Sequence, residues 1–217
     1  MAIAATTTPR PSNPWEMKVG QGAGEGYQYV PCPPGNYPGT IVGLYDIGHQ
    51  HVVLKDGREQ EVRKLVLVFE LTEKRPDGKP FILAERYTWS MRDNSNFYAL
   101  VTNITGSKFK EGDSFNPLTL VAMPVMVSIT NTQNGEKTYH NVGGVARYPR
   151  NFPVPPDPIT QPQAWSILEG KPFPLEADSL PFVYGKSIRA LAEESAEWKK
   201  VGVIPQPTDE GQDPIPF

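Results

Sequence analysis

Cationic and aromatic side chains are interleaved along several stretches of the chain that have β-strand character. Positive groups bind phosphates and flat rings stack on bases, so the two types on one surface suit a single nucleic-acid strand of any sequence. The residues that combine this chemistry with a place on a predicted strand, or at its end, are Tyr45, Arg63, Lys64, Phe69, Arg86, Tyr87, Trp89, Arg92, Lys137 and Tyr139. This pattern predicts a site for single-stranded nucleic acid on a β-sheet.

Strand alternation divides these residues between a surface role and a core role. Along the third predicted strand, Tyr87 and Trp89 share a parity with Phe81 and Leu83. Arg86 points to the opposite side of that strand. A place in the core therefore stays open for each aromatic residue, whereas the arginines are expected on the surface, where they can meet phosphates.

Residue types that usually carry catalysis or bind metals are sparse. The only His and Cys residues of the sequence are His49, His51, His140 and Cys32. A closed zinc site needs four suitably spaced ligands. A solvated loop is therefore the favoured interpretation of the closely spaced residues His49 and His51. The sequence contains no GxxxxGK[ST] phosphate loop and no nucleophile elbow. We therefore expect no enzymatic activity, no metal and no cofactor.

The net charge of −3 hides an uneven distribution. Residues 37–150 carry fourteen Lys and Arg against twelve Asp and Glu, whereas residues 151–217 carry five against ten. The acidity is concentrated towards the C-terminal end, which leaves a mildly basic middle free to meet an anion.

Hydrophobic periodicity predicts five strands and one helix in the middle of the chain. Runs of β-branched and aromatic residues, bounded by Gly, Pro, Asp-Gly and Asn-Gly turn signals, place the strands at 38–47, 61–71, 81–91, 120–132 and 136–148. Between the third and fourth strands lies a helical stripe that ends at Gly106 and consists of Phe97, Leu100, Val101 and Ile104.

The order of these elements predicts the fold class. A β-β-β-α-β-β order suits a mainly β protein with a five-stranded OB-fold Greek-key barrel over 37–150, in which the face of strands two and three binds oligomers. Asp93 or Asn94 is the expected N-cap of the helix. Pro124 suggests that the fourth strand lies at an edge of the sheet or contains a bulge.

The flanks of this domain have a different composition. Residues 1–36 are rich in Gly, Pro and Thr and are interpreted as an extended N-terminal arm. Residues 151–186 are expected to be an extended, proline-rich segment, followed by a short helix over 187–200 that packs on the domain or on a partner. Residues 201–217 are expected to form an acidic flexible tail. A cytoplasmic protein is expected, because the sequence has no secretion signal and no stretch apolar enough to span a membrane.

Five segments of the predicted domain occur in a characteristic order: "GNYPGTIVGLYDIG", "RKLVLVFEL", "GKPFILAERYTWSM", the "NFYALV" helix and "GEKTYHNVGGV". With this order and spacing, the region over about 37–150 resembles the OB-fold single-stranded DNA-binding proteins encoded by tailed bacteriophages and prophages. The resemblance implies an OB fold, sequence-nonspecific binding of single-stranded DNA, and a role in phage DNA replication or recombination.

The last residues carry a second, independent pattern. In "DEGQDPIPF", acidic residues precede a terminal apolar tip, and the residues concerned are Asp209, Glu210, Asp213, Ile215, Pro216 and Phe217. This end resembles the C-terminus of bacterial single-stranded DNA-binding proteins, with fewer contiguous acids and with Pro214 before the tip. The resemblance implies docking of replication and recombination proteins, with the Phe ring in an apolar pocket and the carboxylates against Arg or Lys.

These patterns predict a phage or prophage protein that protects single-stranded DNA in a bacterial cell and recruits partners through its tip. The alternative is an OB-fold adaptor that binds proteins rather than DNA. A homo-oligomer is one of the assembly states that the sequence leaves open.

Overall fold

The chain folds as a mainly β protein around a six-stranded sheet. The computed structural model describes residues 30–135, 137–174, 177 and 180–201. Its strands are β1 (Gly35–Val53), β2 (Glu59–Lys74), β3 (Pro80–Thr88), β4 (Pro124–Asn134), β5 (Lys137–Arg147) and β6 (Gln163–Ser166). The α-helices found in these residues are α1 (Asn96–Thr105), α2 (Ile188–Glu193) and α3 (Ala196–Val201). None of the described helices has the length and apolar character that crossing a membrane requires.

The sheet is open, and its main path runs β3-β2-β1-β4-β5 with antiparallel pairing. β1 is the central strand of this path. β2 pairs along most of one edge, whereas β4 and the parallel strand β6 share the other edge at residues 35–40 and 43–46. The predicted Asp-Gly turns close the β1–β2 and β2–β3 hairpins.

All five predicted strands are present, but their ends differ from the prediction. β1 is the most extended, because it continues past a register shift between Asp46 and His49 and pairs with the start of β2. β4 begins at Pro124 rather than at 120, since Pro117–Leu120 form a 3₁₀ turn. The expectation of an edge strand is wrong, because β4 pairs with β1 and with β5. Proline is tolerated there as the first residue of the strand.

The helix α1 confirms the predicted stripe and its end, but not its cap. Ser95, rather than Asp93 or Asn94, is the N-cap, and its Oγ accepts a hydrogen bond from the Tyr98 N–H at 3.0 Å. At the other end Gly106 adopts φ 71° and donates its N–H to the Thr102 carbonyl at 2.8 Å. Glycine suits this left-handed position because it has no Cβ.

One face of the sheet, here called the inner face, packs against α1. Leu65, Leu67 and Phe69 of β2 are buried on it, and Tyr87 of β3 lies opposite Leu65 in the β2–β3 register. The Tyr87 ring contacts Phe97 of α1 with ring centres 6.2 Å apart. This arrangement is the core that the helical stripe predicted.

The other face, here called the outer face, is covered by the C-terminal segment. Val66 and Val68 of β2 belong to a buried cluster with Trp165, Phe173 and Leu191. The expected spacer at 151–186 therefore contains a sixth strand and core residues, which makes the predicted count of five strands wrong. Periodicity did not indicate β6 because it is only four residues long.

The predicted helix over 187–200 is divided into α2 and α3. Ser195 interrupts it because this buried residue accepts a hydrogen bond from the Trp198 N–H at 3.1 Å and so begins a new helix. Ile188 and Leu191 of α2 pack into the outer core, so the helical segment packs on the domain at these residues. From Pro31 onward the described residues belong to one compact unit, without a separate body beginning at 151.

Candidate functional site

Two of the predicted binding residues are core residues. Tyr45 and Phe69 are 0% exposed, and the Tyr45 ring lies 6.1 Å from that of Phe173. A buried ring cannot stack on a base, so the prediction is wrong for both residues. Phe69 is on the inner face, and Tyr45 is covered by a segment whose position the sequence did not reveal.

Tyr87 also has mainly a core role, which strand alternation had left open. It packs on Phe97, and burial raises the pKa of its hydroxyl group, with smaller contributions from Glu85 and Tyr184. Only the edge of the residue reaches the cleft described below.

Arg63 neutralises a buried carboxylate. Its Nη2 lies 2.5 Å from Oδ2 of Asp46, a wholly buried residue, and Ser166 of β6 donates its hydroxyl to the same Oδ2 at 2.7 Å. The Arg63 guanidinium also lies 4.0 Å from the centre of the Trp89 ring. This cluster joins β6 to the β1–β2 hairpin, so Arg63 and Trp89 have a structural role that the sequence did not indicate.

A polar cleft of about 450 Å³ opens where β3 ends and the chain turns into α1. The residues that line it are Lys64, Arg86, Tyr87, Thr88, Ser90, Arg92, Asn94, Ser95, Asn96 and Tyr184. Three of these carry a positive charge and none carries a negative charge. The cleft therefore combines cations with hydrogen-bonding side chains and one accessible aromatic ring.

The β2–β3 register explains why the cations meet. Lys64 pairs with Thr88 and Val66 pairs with Arg86, so Lys64 and Arg86 lie diagonally on the same face. Arg92 comes from the loop before α1, where the Ser95 hydroxyl donates to the Ser90 carbonyl at 2.6 Å. Two adjacent strands and a braced loop thus place the three cations around one opening.

The electrostatics of the cleft favour an anion. Lys64 Nζ donates to Thr88 Oγ1 at 2.7 Å, and no carboxylate is among the cleft-lining residues. Burial, and secondarily the charge of Arg86, lower the pKa of Lys64. A positive charge that is partly desolvated and lies near a second one is stabilised when a negative group enters.

The structure thus brings together part of the predicted set. Lys64, Arg86, Arg92 and the edge of Tyr87 share the cleft, whereas Tyr139 is 43% exposed on β5 and is not among the cleft-lining residues. The side chain of Lys137 lies outside the described part of the chain. So do the tail residues Asp209, Glu210, Asp213, Ile215, Pro216 and Phe217, and residues 1–29 of the predicted arm.

Sequence reasoning missed several cleft residues. Local patterns indicate Asp93 and Asn94 only as candidate helix caps, although Asn94 and Asn96 line the cleft. Tyr184 lies far from β3 in sequence. Its one local signal is the Tyr184-Gly185 dipeptide, which resembles a turn between two short extended pieces.

A second cleft, of about 490 Å³, lies at the opposite end of α1. Its lining is more apolar and includes Ile104, Arg147, Tyr148, Arg150, Phe152 and Val154. The Tyr148 and Phe152 rings meet edge to face at 6.2 Å. None of the residues predicted from the sequence to bind nucleic acid lines it.

The His and Cys residues do not form a metal site where the structure describes them. No group of three or more His, Cys, Asp or Glu in the described ranges is arranged to hold a metal ion. Cys32 is buried, and its backbone N–H donates to His140 Nδ1 at 3.0 Å. Burial, and secondarily the charge of Glu73, raise the pKa of the Cys32 thiol to about 11.

No protein-family model matches the chain, and no curated protein matches its sequence significantly.

Proposed function

We propose that the protein binds single-stranded DNA without sequence preference, on an OB-like barrel. The strand order β3-β2-β1-β4-β5, with α1 between β3 and β4, is the order of an OB-fold Greek key opened between β3 and β5. The helix α1 contacts both of these terminal strands. The topology supports the proposal because OB folds are partly open barrels that bind oligonucleotides on the face of strands two and three.

The observation that carries the proposal is the cationic cleft on those two strands. Most of their outer face is occupied by the C-terminal segment, and the opening that remains holds Lys64, Arg86 and Arg92 without a carboxylate in its lining. Contacts between cations and phosphates are independent of base identity, so this site suits nonspecific binding. On this proposal the DNA lies at the end of β3 rather than along the whole sheet.

The test is titration of the protein with oligo-dT at several salt concentrations, followed by intrinsic tryptophan fluorescence and gel retardation. Affinity should fall as salt rises, because each phosphate contact releases counterions. Arg86→Ala should weaken binding about tenfold and reduce the salt slope by about 0.7, the contribution of one contact on a single strand. The loss should be alike for dT, dC and dA oligomers.

A matched control removes a cation outside the cleft. Lys171 is well exposed, with its Nζ 2.7 Å from a Glu169 carboxylate oxygen, and Lys171→Ala should leave affinity and salt slope close to wild type. If wild-type protein neither retards oligo-dT nor changes its fluorescence at low salt, the protein is not a single-strand binder.

The tail adds a second element to the proposal. Protection of single strands in phage or prophage replication or recombination would be joined to recruitment of partner proteins through residues 208–217. Deletion of these residues should leave oligo-dT binding unchanged or tighter, because acidic residues compete with phosphate for cations. Loss of DNA binding on deletion would contradict a tail that serves only for docking.

A further inference from the structure

Residues 183–186 form a tight hairpin turn in the C-terminal segment. Val183 and Lys186 exchange two backbone hydrogen bonds, of 2.8 and 3.1 Å, which leaves Tyr184 and Gly185 as the two turn residues. Their φ angles are 51° and 81°. Positive φ at both central residues identifies a turn of the I′ kind, which favours Asn, Asp or Gly.

Tyrosine is an unusual residue for the first position of this turn. Gly185 adopts positive φ without a steric penalty, but a bulky side chain in the left-handed region is an outlier. Strained positions of this kind persist only where the surrounding structure holds them, and they concentrate at functional sites. The strain at Tyr184 therefore indicates a role for its side chain.

The hairpin presents two aromatic rings to solvent. Phe182 and Tyr184 are 70% and 71% exposed, whereas Val183 between them is buried in the outer core. The buried valine anchors the hairpin to the sheet, and the flanking rings project from it. Exposed rings of this size on an anchored turn are available to pack against a ligand.

Tyr184 is held beside the cations of the cleft. Its hydroxyl donates to Glu85 Oε1 at 2.9 Å, and the guanidinium of Arg86 lies 5.0 Å from the centre of its ring. Desolvation of the hydroxyl group, and secondarily the charge of Glu85, raise the pKa of Tyr184 above its ordinary value, at which the hydroxyl is already a neutral donor. These two contacts set the orientation of the ring at the edge of the cleft that it lines.

We propose that Tyr184, with Phe182 next to it, is a stacking platform for the bases of a single strand whose phosphates lie in the cleft. This inference rests on the proposed function and extends it to the C-terminal segment. The β2–β3 cations bind the backbone, and the hairpin binds the flat faces of the bases. Stacking is indifferent to base identity, so the platform adds affinity without adding sequence preference.

The experiment separates base contacts from phosphate contacts by comparing oligo-dT with an abasic deoxyribose-phosphate oligomer of equal length. Wild type should bind oligo-dT more tightly than the abasic strand. A double variant, Phe182→Ala with Tyr184→Gly, should lose about tenfold in affinity for oligo-dT and little for the abasic strand. Arg92→Ala should weaken both by similar factors, since Arg92 lines the cleft for the backbone and makes neither of the two contacts that orient the Tyr184 ring.

Two controls isolate the ring. Tyr184→Phe removes the bond to Glu85 but keeps the ring, and should retain most of the preference for oligo-dT. Phe152→Ala removes an exposed ring at the second cleft and should bind as wild type does. Glycine at 184 accepts the left-handed backbone, so the double variant should fold, and circular dichroism checks this.

The outcomes distinguish this inference from the proposed function. If wild type binds oligo-dT and the folded double variant binds it equally tightly, the hairpin is not a stacking platform while single-strand binding stands. If wild type binds neither oligomer, the proposed function and this inference fail together. A selective loss for oligo-dT in the double variant supports the platform.

Discussion

Residues 65–69 of β2 form one apolar run whose alternate side chains are buried on opposite faces of the sheet. A different part of the chain packs on each face and is called the cover of that face. Leu65, Leu67 and Phe69 lie on the inner face, which packs against α1, an element close to β2 in the chain. Val66 and Val68 lie on the outer face, under Trp165 and Phe173 from the C-terminal segment. The inner cover is thus a local helix, whereas the outer cover returns from the far end of the chain.

The covers also differ in how they are attached. The inner face relies on apolar contacts such as Tyr87 against Phe97. The outer cover adds carboxylate anchors: Asp46 accepts from Ser166, Glu70 accepts from the backbone N–H groups of residues 159 and 160, and Glu197 of α3 binds His49. Directional bonds of this kind fix the position of a segment that has little regular secondary structure.

This difference explains the place of the candidate site. Without the C-terminal segment, the outer face of β2 and β3 would be open along its length. Here the attached segment turns most of that face into core and brings Tyr184 to the end that remains open. The cover therefore limits the site and also contributes to it.

The strongest test of the comparison removes one large ring from each cover. Phe97→Ala and Trp165→Ala should each lower the free energy of unfolding by about 3–5 kcal/mol, because both delete buried aromatic volume. Urea denaturation followed by circular dichroism measures the loss. A single transition in both variants is expected if the two covers unfold together.

Alkylation of Cys32 distinguishes unfolding of the whole domain from local release of the C-terminal segment in these variants. The thiol is buried and its pKa is about 11, so it should react slowly until the whole domain unfolds. If Trp165→Ala frees the C-terminal segment to proteolysis while Cys32 stays protected, the outer cover is a separate unit, and the expected cooperativity is wrong.

Removing the buried carboxylate should have the next largest effect. Asp46→Ala leaves Arg63 and Ser166 without their shared acceptor, and should cost about 2 kcal/mol, below the ~3–5 kcal/mol of fully buried pairs. The effect is smaller because Arg63 remains 27% exposed. Asp56→Ala, which breaks an exposed pair with Arg58, is the matched control and should change stability little. If Asp46→Ala and Asp56→Ala lowered the free energy of unfolding equally, the buried Asp46–Arg63 pair would stabilise the fold no more than a surface pair does.

The Glu197 anchor should respond to pH. Burial opposes ionisation, but the side-chain and backbone hydrogen bonds from His49 outweigh it, so the pKa of Glu197 is lowered below 4.5. A lowered folded pKa means that the stabilisation is present above about pH 4.5 and is lost as pH falls through the folded value. Glu197→Gln should cost about 1 kcal/mol near neutral pH.

Urea midpoints of wild type and Glu197→Gln across this acidic range measure the difference. The difference in urea midpoint between wild type and Glu197→Gln should shrink as pH falls. Glu193→Gln, at an exposed position on α2, should have the same midpoint as wild type throughout. A difference that persists after Glu197 is protonated would show that the carboxylate charge is not what attaches α3.

The smallest effect on stability is expected in the cleft itself. Arg92 is exposed in the loop before α1, so Arg92→Ala should change the free energy of unfolding by less than about 0.5 kcal/mol. The same variant should bind oligo-dT about fivefold more weakly, through loss of one phosphate contact. A stability loss comparable to that of Asp46→Ala would assign Arg92 to the scaffold instead.

Local patterns were sufficient to predict much of the sheet and the helix α1. Strand alternation predicted that Arg86 points to the other side of β3 from Phe81 and Leu83, which are buried. The helical stripe predicted α1 and its end at Gly106. The run "LVLVF" in β2 is apolar at successive positions, and both of its faces are buried. These features are predictable because each depends on neighbours within a few residues.

Long-range packing decided the rest. The sequence by itself determined that β2 is apolar on both sides and that cations lie on and near the strands β2 and β3. Only the tertiary structure decided that Trp165 and Phe173 cover the outer face, that Tyr45 is core, that Arg63 serves Asp46, and that Tyr184 stands beside Arg86. The physical reason is that periodicity records which side chains avoid water, whereas the identity of their cover depends on contacts between segments far apart in the chain.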